Sequence, residues 1–310
     1  MAAARRDTLG YALVGSTYLV WGSLGALVRM TTMPASTLLE ARMVIGAVLV
    51  AAVFARRPML AELRDRRTIG WLLLMGVFSS STLLLFFLAL RLTGVSIGMF
   101  LFFTGPVYVA LAAPRLLHQR ADRVVYPALA LAVAGMVAIL LPGFLGGGGL
   151  SAAGVACGVA SGLLYAGYAL TAKFLTRTRR SVTIALSEMV IDAVIVAPLA
   201  FWQLAGSGYH LTGHDLAVVL VIGVACTAIP YVMYVEGLSR IRVEHASILG
   251  YLEPVSAPLY ALLLLGEATT VTTIAGGALI VGAGVLVVVF GSRQRDLERG
   301  GAHMSAARSV

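Results

Sequence analysis

The sequence predicts an all-α integral membrane protein whose ten transmembrane helices form two inverted five-helix repeats. Apolar side chains make up 59% of the 310 residues and charged side chains only 12%, whereas soluble domains are about 45–50% apolar and about 25% charged. Ten apolar runs have the length of a membrane-spanning helix, and basic residues cluster between alternate runs. The two halves of the chain also share a layout of polar links and prolines.

Each apolar run is interpreted as a helix, because only a helix or a closed barrel satisfies its own backbone hydrogen bonds in lipid. Barrel strands would be shorter and would alternate in polarity. The runs have the roughly 20 residues that a spanning helix needs, and they leave little chain for a separate soluble domain. The predicted spans are residues 10–29, 36–55, 69–90, 95–114, 124–142, 151–172, 182–202, 215–238, 245–266 and 271–291.

Cysteine and charge patterns exclude several other classes of protein. Cys157 and Cys226 both lie inside apolar runs, so neither a disulfide scaffold nor a CxxC metal site can form. No histidine has a further ligand at metal-binding spacing, and we expect no metal and no cofactor. The net charge of +9 does not predict a nucleic-acid partner, because the basic residues are not gathered on one solvated face. The expected environment is a lipid bilayer.

The distribution of Lys and Arg predicts the orientation of the chain. With the N-terminus in the cytoplasm, twenty basic residues fall in inside segments, two in outside segments and Arg42 within a span. This bias follows the positive-inside rule and places both termini in the cytoplasm, as expected for a multi-pass protein of the plasma membrane. Arg5 and Arg6 precede an apolar run of full spanning length with no signal-peptide cleavage site, so this run is expected to remain as the first helix.

Internal similarity predicts two repeats. Residues 89–111 and 237–259 each open a span that carries a proline, and Pro106 and Pro254 are 148 positions apart. Because each half has five spans, the second half must enter the membrane from the opposite side, which provides two ways of packing the halves and hence alternating access. The predicted division is a cytoplasmic tail at 1–9, a first repeat at 10–142, a Gly-rich exterior linker at 143–150, a second repeat at 151–291 and a cytoplasmic tail at 292–310.

Four segments of the chain carry motifs of a known family: YLVWGS (18–23), GPVYVAL (105–111), LEPVSAPLYALLLLGE (252–267) and IAGGALIVGAGV (274–285). Through these segments the chain resembles the ten-helix EamA-like transporters of the drug/metabolite transporter superfamily. One departure is that the first half has His118 and Gln119 where the second half has Gly266 and Glu267. The resemblance implies movement of small metabolites, often export of amino acids or related compounds.

Two carboxylates in the seventh span are the predicted proton-coupling residues. At about 1.5 Å rise per residue, Asp192 lies roughly 15 Å into its span, where a charge costs about 2.5–3.5 kcal/mol on insertion scales. Glu188 is four residues away on the same helical face, so the two groups would repel each other if both were ionised. One carboxylate could then exchange a proton for a cationic or zwitterionic substrate. The alternative is that neighbouring hydroxyls or Arg42 bind the pair for packing alone.

Other polar features of the spans are candidates for substrate binding and gating. Arg42 either meets a substrate carboxylate or extends its side chain outward to the interface. Prolines in corresponding spans of two halves point to a transporter's central site, which makes Pro106, Glu253 and Pro254 candidate gating residues. Kinks for packing alone are the alternative.

Aromatic side chains inside the spans are candidates for contact with a substrate through stacking or cation–π interactions. Anchoring at the membrane interface is the usual role of such residues, but Trp21 and Tyr165 lie well inside their spans. The predicted substrate-binding aromatics are Tyr18, Trp21, Tyr165, Tyr168 and Tyr231.

Stripes of small residues are interpreted as helix-packing surfaces. Gly154, Gly158 and Gly162 recur every four residues in the sixth span and allow another helix to approach closely. The Gly-rich segment 275–284 has the same character and also offers a contact for a homodimer.

The predicted function is secondary transport of a small metabolite, an amino acid or related zwitterion or cation, as an exporter. One rival is an intramembrane enzyme, but residues 158–162 read GVASG, one residue longer than the GxSG of serine proteases, and GxGD is absent. Another rival is a sugar-phosphate or nucleotide-sugar exchanger, which should carry several buried basic residues, whereas this chain has only Arg42 within a span.

Overall fold

A computed structural model describes residues 2–54, 59, 62–93, 95–118, 122–145, 151–267 and 269–307. Within these ranges the regular structure is helical, without a strand. Ten helical segments are long and apolar enough to cross a membrane, and they confirm the predicted spans. The helices are Ala2–Trp21, Leu24–Val28, Ala35–Phe54, Arg66–Thr93, Val95–Phe102, Gly105–Leu116, Val125–Leu145, Ala152–Leu175, Ser181–Ser207, Gly213–Gly223, Val224–Ala228, Ile229–Arg240, Val243–Leu249, Leu252–Leu265 and Val271–Ala307.

Several helices extend beyond the predicted spans. The segment predicted as an N-terminal tail is helical from Ala2, and the helix of the tenth span continues to Ala307. Apolar length predicts only the part inside the lipid, whereas Ala, Arg, Gln and Glu next to it favour further helix. The fifth helix ends at Leu145, and residues 146–150 of the predicted linker lie outside the described residues.

The α-helix is interrupted inside four spans, by a break in three of them and by a π-helix in the fourth. The first breaks between Trp21 and Leu24, the fourth between Phe102 and Gly105, and the ninth between Leu249 and Leu252. Pro106 and Pro254 fall in the first turns that follow the breaks of the fourth and ninth spans, where a missing backbone N–H costs little. The eighth span contains a π-helix, Val224–Ala228, instead of a break.

The spans pair in a pattern that is unchanged when the two halves are exchanged. The second span packs against the seventh, the fourth against the ninth, and the fifth against the tenth. The first span packs against the eighth. Exchange of the halves turns this pair into the sixth and third spans, which also pack against each other. Both halves therefore contribute to every one of these contacts.

Glycines allow the closest helix contacts. A Cβ at Gly158 would meet Leu101 of the fourth span, and one at Gly162 would meet Thr104. Gly135 and Gly276 face each other where the fifth and tenth spans cross, each against the backbone carbonyl of the other. These positions carry packing, because no larger residue fits without a shift of the neighbouring helix. The sequence predicts this role for Gly158, Gly162 and Gly276 but not for Gly135.

Candidate functional site

A cavity of about 170 Å³ lies where the interrupted spans meet. This volume is more than ten times the roughly 10–15 Å³ that one water requires. Among the described residues, eight spans contribute to its wall, and the fifth and tenth do not. The lining residues are Tyr18, Trp21, Leu24, Arg42, Ser79, Thr82, Leu83, Phe86, Met99, Phe102, Phe103, Pro106, Tyr165, Tyr168, Glu188, Tyr231, Gly250 and Glu253.

Two carboxylates of the seventh span share one hydroxyl of the third span. Ser79 Oγ lies 2.8 Å from Asp192 Oδ2 and 3.3 Å from Glu188 Oε1. A hydroxyl has one proton to donate, so Ser79 can donate to only one of the two carboxylates at a time. Ser80 donates to the other Asp192 oxygen at 2.6 Å, and the Tyr168 hydroxyl donates to Glu188 Oε2 at 3.2 Å. The arrangement joins two acids that lie one helical turn apart through a hydroxyl able to serve either.

The two carboxylates differ in their access to the cavity. Glu188 lies on the cavity wall, whereas Asp192 is fully buried behind Ser79 and does not line the cavity. Ser79 itself lies on the wall. A ligand in the cavity can therefore contact Glu188 directly and Asp192 only through Ser79.

Arg42 lies on the cavity wall, in the second span. Its buried Nε has no hydrogen-bond partner in the described part of the chain. A buried guanidinium N–H without a partner is costly, and an acceptor on a bound ligand or a water would satisfy it. Of the two sequence interpretations, the substrate-facing position fits this placement.

Aromatic rings from both halves form most of the remaining wall. The hydroxyls of Tyr18 and Tyr165 are 2.9 Å apart, which joins the first span to the sixth. Trp21 packs edge-on against Tyr18 and Tyr231, with ring centroids 5.3 and 5.6 Å apart. Tyr168 stacks on Tyr234. These rings present π faces and hydroxyls to a ligand, and such groups bind cations and apolar side chains.

Trp21 also compensates for a proline in the eighth span. Pro230 has no backbone N–H, so the carbonyl of Cys226 lacks the donor that an α-helix would supply four residues later. The indole Nε1 of Trp21 donates to this carbonyl at 3.0 Å. The same side chain therefore lines the cavity and stabilises the end of the π-helix.

The fourth and ninth spans contact each other at their breaks. The hydroxyl of Tyr251 donates to the carbonyl of Phe103 at 2.7 Å, across 148 positions of sequence. Pro106 and Glu253 lie on the cavity wall, but Pro254 lines a different cavity near the end of the first span. The side chain of Pro254 therefore faces a different space from those of the other two predicted gating residues.

The sequence did not indicate several groups of the site. Ser79, Ser80 and Thr82 belong to the run SSST at 79–82 in the middle of an otherwise apolar span, and this run is the signal that could have identified them. Nothing in the sequence singled out Phe86 and Phe102, because phenylalanine is common in any membrane helix. Among the described residues, no group of three His, Cys, Asp or Glu side chains is placed to hold a metal ion.

Ten membrane helices around a central cavity that carries charged and aromatic groups define a membrane transporter. The EamA-like transporter family matches residues 8–141 and again residues 152–290. The chain belongs to this family.

Relatives of known sequence are also transporters. An uncharacterized transporter of Archaeoglobus fulgidus is 28% identical over 225 residues, which cover 72% of this chain and 76% of the relative. The uncharacterized transporter YwfM of Bacillus subtilis is 29% identical over 222 residues, or 71% and 73% of the two chains. The threonine/homoserine exporter RhtA of Escherichia coli K12 is 27% identical over 240 residues, or 77% of both chains.

A crystal structure has the same fold. It matches with a TM-score of 0.77 at 20% identity, covering 92% of this chain and 98% of the other. At this identity the similarity shows the fold alone.

Proposed function

We propose that this protein is a secondary transporter of the plasma membrane that exports an amino acid, or a related zwitterion, by alternating access coupled to protons. The observation that carries the proposal is a cavity wall with Arg42 on one span and Glu188 and Glu253 on two others. A zwitterion presents one carboxylate and one ammonium, and these groups match a guanidinium and a carboxylate of the wall.

Alternating access is supported by contacts between equivalent positions of the two halves. Phe103 and Tyr251 are separated by 148 positions, the same offset as Pro106 and Pro254, and they hydrogen-bond to each other. Equivalent positions can touch only near an axis that relates the two halves. With five spans in each half, such an axis lies in the membrane plane and relates inverted repeats.

Proton coupling is supported by the pair of acids around Ser79. Two carboxylates that accept from the same hydroxyl exchange protons as a pair and not as independent acids. Because Glu188 also faces the cavity, an incoming ammonium could displace a proton from the pair, and release of the ammonium would allow the proton to return.

The direction and class of cargo are supported by RhtA, whose name describes export of threonine and homoserine. A phosphorylated sugar or nucleotide is a poorer match, because Arg42 is the single basic side chain on the wall among the described residues. A doubly charged phosphate would leave one negative charge unpaired. The bias of basic residues supports an orientation with both chain ends in the cytoplasm.

The test is transport by the purified chain in liposomes. Labelled threonine, homoserine and a panel of other amino acids are offered with and without an imposed pH gradient. We expect substrate-dependent transport that the gradient accelerates, and loss of this acceleration in Glu188→Gln and Asp192→Asn. Glu62→Gln is the control, since its weak ion pair with Arg180, 3.7 Å long, lies away from the cavity at a loop.

Two results would contradict the proposal. Failure to transport any zwitterion in vesicles that contain folded protein would exclude the cargo class. A wild-type response to the pH gradient in both acid variants would remove protons from the mechanism and leave a facilitator.

A further inference from the structure

A buried polar network lies at the inner end of the bundle, which is the end where the first span begins. His245 Nε2 lies 2.9 Å from Asp122 Oδ2, and His245 Nδ1 lies 2.6 Å from the Tyr11 hydroxyl. His245 is 0% exposed, and Asp122 and Tyr11 are also buried. This network, Tyr11–His245–Asp122, is separate from the residues that line the cavity.

The negative charge of Asp122 strengthens its hydrogen bond to His245. Burial alone would raise the pKa of Asp122, but hydrogen bonding to His245 and the neighbouring positive charges outweigh it and hold this pKa below its usual value. Asp122 is then an ionised acceptor, so His245 Nε2 is the donor. The Tyr11 hydroxyl can donate or accept at Nδ1. A buried ion pair between Arg242 and Glu244, at 2.9 Å, lies next to His245 in sequence.

The three members come from three spans and from both halves. Tyr11 lies in the first span, Asp122 directly before the fifth, and His245 at the start of the ninth. The first and ninth spans are two of those that break at the cavity. The network therefore joins the first half to the second at the end where the first span begins.

Five apolar residues, here called the sealed layer, lie within seven positions of Tyr11 or His245 in the sequence. They come from the first, eighth and ninth spans and the link between the last two, and all are 0% exposed, so solvent reaches none of them in this conformation. These residues are Val14, Leu238, Ile241, Val243 and Ala246.

A different buried network lies at the outer end, where the first span ends. Asp215, at the start of the eighth span, is 3% exposed and accepts hydrogen bonds from Thr31 Oγ1 at 2.5 Å and from Thr212 Oγ1 at 2.6 Å. It is not a repeat of the inner network.

The offset of 148 that relates Pro106 to Pro254 places Ile97 at the position of His245, and an isoleucine side chain cannot form a hydrogen bond. The ion pair between Arg29 and Glu267 does join the first and ninth spans at the outer end, but its side chains are 59% and 44% exposed. Exposed pairs of this kind add little stability.

We propose that the Tyr11–His245–Asp122 network is a latch that holds the transporter closed at its inner end. Opening that end would separate the first span from the ninth, and it would break hydrogen bonds that include one to a charged carboxylate. The inference rests on the proposed alternating access, and it adds which side chains close the inner end.

The test measures how readily a thiol in the sealed layer reacts. Cys157→Ala and Cys226→Ser remove the native thiols, and Ala246→Cys introduces one that a maleimide reaches only when the inner end is open. We expect slow labelling from the inner side in this parent. Asp122→Asn should raise the rate about tenfold or more, because it replaces the charged acceptor of the His245 hydrogen bond by a neutral one. Tyr11→Phe should raise it about two- to tenfold, because it removes one hydrogen bond to the imidazole.

Glu267→Gln is the matched control, because it breaks the outer ion pair and leaves the inner network intact; its labelling rate should stay at the parent value. Thermal melting in detergent verifies that each variant is folded, and if Asp122→Asn fails this check, Tyr11→Phe decides alone, since it removes one hydroxyl. An unchanged rate in folded Tyr11→Phe, or an equal increase in Glu267→Gln, overturns the latch.

Transport measured in the same vesicles distinguishes failure of the latch from failure of the proposed function. If the latch is wrong but the proposed function is right, Tyr11→Phe leaves labelling unchanged while amino-acid transport continues. If the cargo is wrong but the latch is right, labelling rises in a protein that transports no amino acid.

Discussion

Arg42 is the residue whose contribution to binding can be measured most directly. Its buried Nε has no partner among the described residues, so a substrate carboxylate would gain a hydrogen bond to a charged group, worth about 1.5–3 kcal/mol. We expect Arg42→Gln to raise the KM for the transported amino acid by about 10- to 100-fold, since each 1.4 kcal/mol corresponds to about a tenfold change in affinity. Saturation curves in proteoliposomes measure this change.

Arg42→Lys is the matched variant for this experiment. It keeps the charge but loses the planar fork that binds a carboxylate through two bonds, and its KM should lie between those of the parent and Arg42→Gln. An unchanged KM in Arg42→Gln would show that the guanidinium does not meet the substrate.

At the residue scale, the charged residues that line or adjoin the cavity stand out in the sequence, whereas the hydroxyl groups that bind them do not. Glu188 and Asp192 are conspicuous in the sequence because an ionisable group inside a span is costly and therefore rare. Ser79 is not, because a hydroxyl can hydrogen-bond to its own helix and costs little in lipid. Tyr11 and His245 are 234 positions apart, and nothing local to either residue indicates that they meet.

At the scale of single helices, the eighth span depends on a side chain of the first. Trp21→Phe keeps a ring but removes the N–H that the Cys226 carbonyl accepts. A buried carbonyl without a donor costs about 1–3 kcal/mol, so we expect a lower melting temperature than for the parent protein. Thermal unfolding in detergent, followed by loss of monodisperse protein, measures the change.

A second substitution provides the control for this prediction. Pro230→Ala returns a backbone N–H four residues after Cys226, and in the Trp21→Phe background it should recover part of the lost stability. Additive effects of the two substitutions would contradict the explanation, because the two donors would then act on different acceptors.

The elements divide into those that apolar length predicts and those that it does not. The membrane-embedded parts of all ten spans follow from runs of about 20 apolar residues. The positions of the breaks do not, although Pro106 and Pro254 marked two of the affected spans. The π-helix at Val224–Ala228 had no sequence signal beyond Pro230, because the side chain that donates to its Cys226 carbonyl is Trp21, more than 200 positions away.

At the scale of the whole molecule, the repeat is visible in the sequence but the pairing of spans is not. A shared offset such as that of Pro106 and Pro254 indicates two related halves. Which spans touch depends on packing between helices that are distant in sequence, as at Gly135 and Gly276. The sequence therefore predicted the number and repetition of the spans, and the structure adds the contacts that place a cavity between the halves.

The measurement that tests the central cavity most directly is two-sided labelling of a thiol on its wall. Thr82→Cys, in the protein without native thiols, places the probe on the wall, and sealed vesicles of either orientation expose one side at a time. We expect labelling from both sides, with slower labelling from the inner side, and protection from both by a transported amino acid. Labelling from one side only, or labelling that no transported amino acid slows, would contradict a binding cavity that opens alternately to the two sides.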